Sequence, residues 1–155
     1  MLAPLFMNHK DLPMHLENPV HRFAPVLLVA AMLALGGCAT APEKLARKSW
    51  KLHTINDELL YGDSVITLRF DSDSQLSGSA GCNTYKASYS ADPETNAIEI
   101  DAISTTRMQC APEIMEQEQR YLGVLGNAAT YLDNCGRLKI RSQDGGILWF
   151  NKQGG

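Results

Sequence analysis

No stretch of this chain is apolar for long enough to cross a bilayer as a helix. The longest run, Phe23 to Leu35, has thirteen residues, against the roughly 20 that a hydrocarbon core requires. Histidine is scarce: of four in the chain only His53 follows residue 37, which excludes a polyhistidine metal site from the body of the protein. Cys-x-x-Cys spacing is missing, and with it the usual thiolate zinc motif. Basic charge is not in excess, since 14 Lys and Arg face 17 Asp and Glu for a net charge of -3. Nothing electrostatic recommends nucleic acid or an anionic lipid surface as a partner. Internal repeats and low-complexity tracts are also lacking.

What is present begins with an address. The run from Phe23 to Leu35 has the length of the apolar region of an export signal. It ends in Leu35-Gly36-Gly37-Cys38, which matches the lipobox of bacterial lipoproteins, whose cysteine takes a diacylglyceryl group and becomes the mature N-terminus. The reading assigns residues 1–37 to a lipoprotein signal peptide and Cys38 to lipid attachment. Met14 would open a signal of more usual length. Residues 38–48, with Pro42 and charges alternating with alanine, read as a lipid-anchored tether. The implied place is the bacterial envelope, anchored by lipid; Ala39 rather than Asp after the cysteine favours the outer membrane, facing the periplasm. Two or more acyl chains hold stably where one is marginal.

Residues 49–151 carry one domain. From Ser49 the pattern turns to period two, as in half-buried strands. Trp50, Leu52 and Thr54 alternate with polar residues up to Asn56-Asp57, and Ile66, Leu68 and Phe70 lead to the turn-rich Asp71–Ser74. Short strands are expected at Gln75–Ser79, Tyr85–Tyr89 and Ile98–Ala102, then at Thr130–Leu132, Leu138–Ile140 and Ile147–Phe150. Ala111–Gly126 departs from this rhythm: Ile114, Glu118, Tyr121 and Leu125, with Met115 and Leu122 beside them, form a helical stripe. Pro112 and Glu113 suit its start, and Gly126-Asn127 its stop. The expected fold is mainly β (α+β): a small curled antiparallel sheet or partly open barrel with one helix packed over an opening.

Two motifs are specific. Gly81-Cys82-Asn83-Thr84-Tyr85 and Ser104-Thr105-Thr106-Arg107-Met108-Gln109-Cys110 resemble the META domain, the HslJ-like family, in which a Gly-Cys-Asn turn and a Thr-Arg-Met-x-Cys segment precede a helix. The likeness extends over about residues 48–151, from Trp50-x-Leu52 to Leu138-x-Ile140. Ala87 departs from it where many members have Gly, which puts a strand bend in question. The resemblance implies a mostly β fold with one helix, a physiological link to heat shock and stress, and no catalytic activity. It also implies that Cys82 pairs with Cys110. The residues alone predict a structural disulfide after export but leave open which two of Cys82, Cys110 and Cys135 form it. Gly81 and Asn83 both tolerate the positive φ of a tight turn. Gly81, Asn83, Thr106 and Arg107 are the remaining motif positions.

Sharper chemistry finds little support. Cys135 lies in the turn Asp133-Asn134-Cys135-Gly136 with only His53 to activate it, and reads as a left-over turn thiol rather than a nucleophile. Glu113 and Glu116 read as a solvated helix face; Glu118, nearer the apolar stripe, is the exception. Arg107 reads as a buried structural arginine before it reads as an anion ligand. No catalytic residues, metal or cofactor are expected. The first functional reading is a non-enzymatic envelope lipoprotein that binds or supports another envelope component, with the membrane as partner through its lipid. The alternative is a small carrier of lipid or another hydrophobic ligand, with a cavity lined by Ile114, Met115, Leu122 and strand residues. An enzyme comes third.

Overall fold

A computed structural model of the protein describes residues 45–154, all within one compact unit, Cys38–Gly155. Nine strands and one helix follow in the order β1 (Ser49–Ile55), β2 (Glu58–Leu59), β3 (Thr67–Phe70), β4 (Gln75–Ser79), β5 (Thr84–Asp92), β6 (Ala97–Thr105), α1 (Pro112–Gly126), β7 (Ala128–Asn134), β8 (Arg137–Ser142) and β9 (Ile147–Lys152). Apart from the two-residue β2, each strand lies where alternation places one. None of the described helical segments is long and apolar enough to cross a membrane.

The sheet is closed. Antiparallel neighbours run β1-β3-β4-β5-β6-β7-β8-β9, and β9 returns to β1 with Leu52 opposite Phe150. This eight-stranded barrel corrects the expectation of a partly open one: pairing the first strand with the last removes both free edges. β2 is a short flap paired with β1, Thr54 opposite Leu59 and Ile55 opposite Glu58, and joined to it by the turn Asn56-Asp57, both at positive φ. The thinnest joint lies between β6 and β7, where Ala97 opposite Thr130 is the registered pair.

Period-two alternation fills the interior. Trp50, Phe70, Tyr85, Tyr121 and Phe150 are buried with Ile66, Leu68, Leu76, Leu138, Ile140 and Leu148. Burying aliphatic and aromatic side chains of this size contributes about 1.5–3 kcal/mol each. Trp50 Nε1 has no hydrogen-bond partner among the described residues. Gly78 is required by close approach, because a Cβ there would lie 1.9 Å from the Thr67 carbonyl oxygen on β3. Leu45, which the sequence assigns to the tether, is a core residue at 3% exposure. It seats in the end of the barrel where the chain enters, and the Arg47 N–H donates to the Phe70 carbonyl at 2.7 Å. Lys48 anchors the same entry by an ion pair of 2.8 Å to Asp133.

Helix α1 covers the opposite end. Its buried residues are Gln117, Glu118, Tyr121, Val124 and Leu125, so the inward stripe is turned toward Gln117 relative to the sequence reading. Ile114, Met115 and Leu122 are half-buried at its margin. Pro112 occupies the first turn, and the Asn127 side-chain amide donates to the Gly123 carbonyl at 3.0 Å to end the helix. The bend questioned at Ala87 is kept: the β5–β6 register shifts between Lys86 and Ser88, and Ala102 of β6 takes the positive φ of 52°.

Candidate functional site

The helix-covered end of the barrel gathers the two cysteine motifs. At the β4–β5 turn the Ala80 N–H donates to the Asn83 carbonyl at 2.7 Å, and Gly81 has a φ of 114°, a conformation that favours glycine. Its Cβ would also come within 3.1 Å of Ser64 Oγ. The turn presents Cys82 to Cys110, and the two are disulfide-bonded with Cα atoms 6.0 Å apart.

Asn83, 3% exposed, is the hub. Its Oδ1 accepts from Thr106 Oγ1 at 2.8 Å and from the Met108 N–H at 2.7 Å. Its Nδ2 donates to Glu118 Oε1 at 2.7 Å and to the Met108 carbonyl at 3.3 Å. All four side-chain positions are thereby used. Glu118 Oε2 accepts from the backbone N–H groups of Asn83 at 2.7 Å and Cys82 at 3.2 Å. A buried carboxylate is tolerable where amide donors surround it, and here they do. Thr106 Oγ1 also accepts from the Thr84 N–H at 3.2 Å.

The preceding helical residue clamps another loop. Gln117 Oε1 accepts from the Tyr61 N–H at 2.6 Å and its Nε2 donates to Ser64 Oγ at 2.8 Å. One turn on, the hydroxyls of Tyr121 and Tyr85 lie 2.6 Å apart, and that of Tyr85 donates to the Thr67 carbonyl at 2.9 Å. Burial pushes both phenol pKa values above their usual range, so both keep their protons to share. Gln117 and Glu118 of α1 thus fix two separate strand connections, β2–β3 and β4–β5, and Tyr121 ties the helix to strand β5. Around them Leu59, Tyr61, Val65 and Met108 stand exposed, at 73%, 55%, 46% and 60%.

Gly81, Asn83 and Thr106 come together with the disulfide, but Arg107 does not. It is exposed rather than buried: the Thr106 hydroxyl and the Met108 backbone hold the segment to Asn83, and the Arg107 side chain between them faces solvent. Glu113, Glu116 and His53 are exposed and distributed over α1 and β1. Cys135, expected as a left-over thiol, is disulfide-bonded. It sits exposed at the tip of the β7–β8 hairpin, and its partner is not among the described residues. Cys38, the lipid-attachment candidate, also lies outside them. Among the described residues no three His, Cys, Asp or Glu side chains are placed to hold a metal ion. Sequence reasoning missed Gln117 and the Tyr85–Tyr121 pair. The available signal was a run of polar residues, Gln117 and Glu118, beside an apolar stripe that such residues join only when bonded.

The META domain model matches residues 43–155. Similar solved structures include an NMR structure of a protein from Burkholderia xenovorans, 23% identical, covering 74% of this chain and 93% of that one with a TM-score of 0.56. Another is a crystal structure of a DUF4847 family protein from Bacteroides vulgatus, 15% identical, covering 71% and 96% with a TM-score of 0.52. At these identities the likeness is one of fold. No curated protein matches the chain.

Proposed function

Starting from the fact that this chain belongs to the META domain family, we propose that it is a non-enzymatic, lipid-anchored envelope module that binds or supports another envelope component under stress. The observation carrying the reading is the exposed apolar rim at the helix-covered end, Leu59, Tyr61, Val65 and Met108, set on loops that Gln117 and Asn83 hold in place. Large apolar side chains gathered on a stiff frame suit recognition, since little ordering cost remains to be met on binding. The carrier alternative needs room between helix and sheet. Tyr121, Leu125 and Phe150 fill that region with almost no exposure, and none of the described cavities is lined by Ile114, Met115 or Leu122.

A photo-crosslinking side chain placed at Tyr61, in cells carrying the lipidated protein, tests the reading against the same group at Leu132, an exposed apolar residue of β7. Crosslinks to one envelope protein from position 61 and not from 132 are expected. Equal labelling from both positions refutes the rim as a recognition surface. Mass spectrometry of the mature N-terminus checks the anchor: the expected species begins at Cys38 with acyl chains attached, and a Cys38–Cys135 disulfide found in their place refutes it.

A further inference from the structure

A second surface lies on the barrel wall, away from the rim. The registers place Ser49 opposite Arg69, Arg69 opposite Ser77, Ser77 opposite Lys86 and Lys86 opposite Ser104. These five residues form one row across β1, β3, β4, β5 and β6, on the face opposite Leu68, Phe70, Leu76 and Tyr85. Along the row hydroxyl and cation alternate at the strand spacing of about 4.8 Å, which sets the two cations about 10 Å apart.

The row lies in a groove of about 630 Å³, whose other lining residues include Thr67, Thr84 and Thr106. At Ser49 and Gln153 it joins a second groove of about 680 Å³, lined by Arg47 and Lys152 among others. Outward-facing Ser and Thr are ordinary on strands, and alone they would say nothing. Here they line a concave surface, and among the described residues no carboxylate lines either groove in a chain where acidic residues outnumber basic ones by 17 to 14. Arg69 is oriented, its Nε donating to Asp71 at 2.5 Å and its Nη2 to Ser77 Oγ at 3.4 Å. Lys86, Arg47 and Lys152 have no ion-pair partner among the described residues.

We infer that this joined groove binds a phosphate-bearing polyol, a phosphorylated saccharide chain. The hydroxyl row matches the repeated hydroxyls of a sugar chain, and the cations at Lys86 and at Arg47 with Lys152 receive anions at separated points along it. Charge-assisted contacts to phosphate supply the affinity, and the hydroxyl ladder supplies the preference for a saccharide over a bare ion. The inference does not rest on the apolar rim, which occupies a different part of the barrel. The same chemistry is offered by a soluble glycan and by the phosphorylated sugar head of a lipid.

Calorimetric titration of the full chain with phosphorylated maltodextrin, unphosphorylated maltodextrin and inorganic phosphate tests it. Flotation with phosphatidylinositol or phosphatidylcholine vesicles runs in parallel. The phosphorylated dextrin should bind about tenfold more tightly than either other solute, the effect of one charge-assisted hydrogen bond. Lys86→Gln should weaken that binding about tenfold with the melting temperature unchanged, whereas Arg141→Gln on β8 should leave it as it was. Lys86-dependent retention on phosphatidylinositol vesicles beyond that on phosphatidylcholine identifies a lipid head as a source; retention equal on both leaves the soluble glycan. Failure of the phosphorylated dextrin to bind, equal binding of the three solutes, or identical behaviour of the two variants overturns the inference.

Discussion

Glu118→Gln changes almost no volume and tests the hub directly. Glu118 receives three hydrogen bonds at 5% exposure, two on Oε2 from Cys82 and Asn83 and one on Oε1 from Asn83 Nδ2. A glutamine amide accepts at only one of those positions. Its less damaging orientation keeps the oxygen toward the two backbone donors and points NH₂ at Asn83 Nδ2, so a donor faces a donor. Losing a charge-assisted bond costs about 1.5–3 kcal/mol and stranding a buried donor about 1–3 kcal/mol; with partial relaxation the net is about 3 kcal/mol. For a domain of about 110 residues the unfolding entropy is about 0.23 kcal/mol/K, so the melting temperature should fall by about 13 °C. Calorimetry reads the shift, and a double-mutant cycle with Asn83→Ala should show strong coupling. A fall under about 3 °C, or additivity within about 0.5 kcal/mol, refutes the hub.

Cys82→Ser opens a loop with a sequence separation of 28 and should cost about 3.6 kcal/mol on the chain-entropy relation, measured as the loss in urea midpoint multiplied by the slope. Gly78→Ala drives a methyl group into the Thr67 carbonyl at 1.9 Å and should stop soluble, cooperatively melting protein from accumulating, whereas Gly123→Ala, with open space around it, should melt at or above the parent temperature. Burial of Tyr89, with help from Asp73 and Tyr131, raises its phenol to about 12, and burial moves Tyr85 and Tyr121 in the same direction. Unfolded tyrosines release protons near pH 10, before these do, so their contribution is complete below pH 10 and is lost as the pH rises from 10 toward 12. Denaturant midpoints across that window should fall steeply, and less so for Tyr89→Phe.

Strands were legible because alternation reports which face meets the core. Trp50, Leu68, Phe70, Ile140 and Phe150 all point inward as their periodicity requires. Barrel closure was not legible, since the pairing of β1 with β9 joins segments about a hundred residues apart and no local pattern encodes it. Leu45 was misplaced for a related reason: a single leucine among Glu, Lys, Ala and Arg has no period, and only the open barrel mouth makes it core. At the motif end, the Gly-Cys-Asn turn and the Cys82–Cys110 pairing could be read through the family resemblance. The role of Glu118 was half visible, because its position near the apolar stripe marked it while its partners lie 35 and 36 residues earlier in the chain. Arg107 was misread because its segment is held to Asn83 through the Thr106 hydroxyl and the Met108 backbone while the side chains along it stay exposed.

The joint between β1 and β9 governs when this barrel can form. Trp50 at the start of the domain waits for Lys152 near its end, and a chain emerging N-terminus first has nowhere to close until Ile147–Lys152 has followed. Long-range pairing of this kind slows folding toward the millisecond-to-second range. A chain cut short before β9 exposes the flanks of β1 and β8 together, two unpaired strands that can template association with other copies.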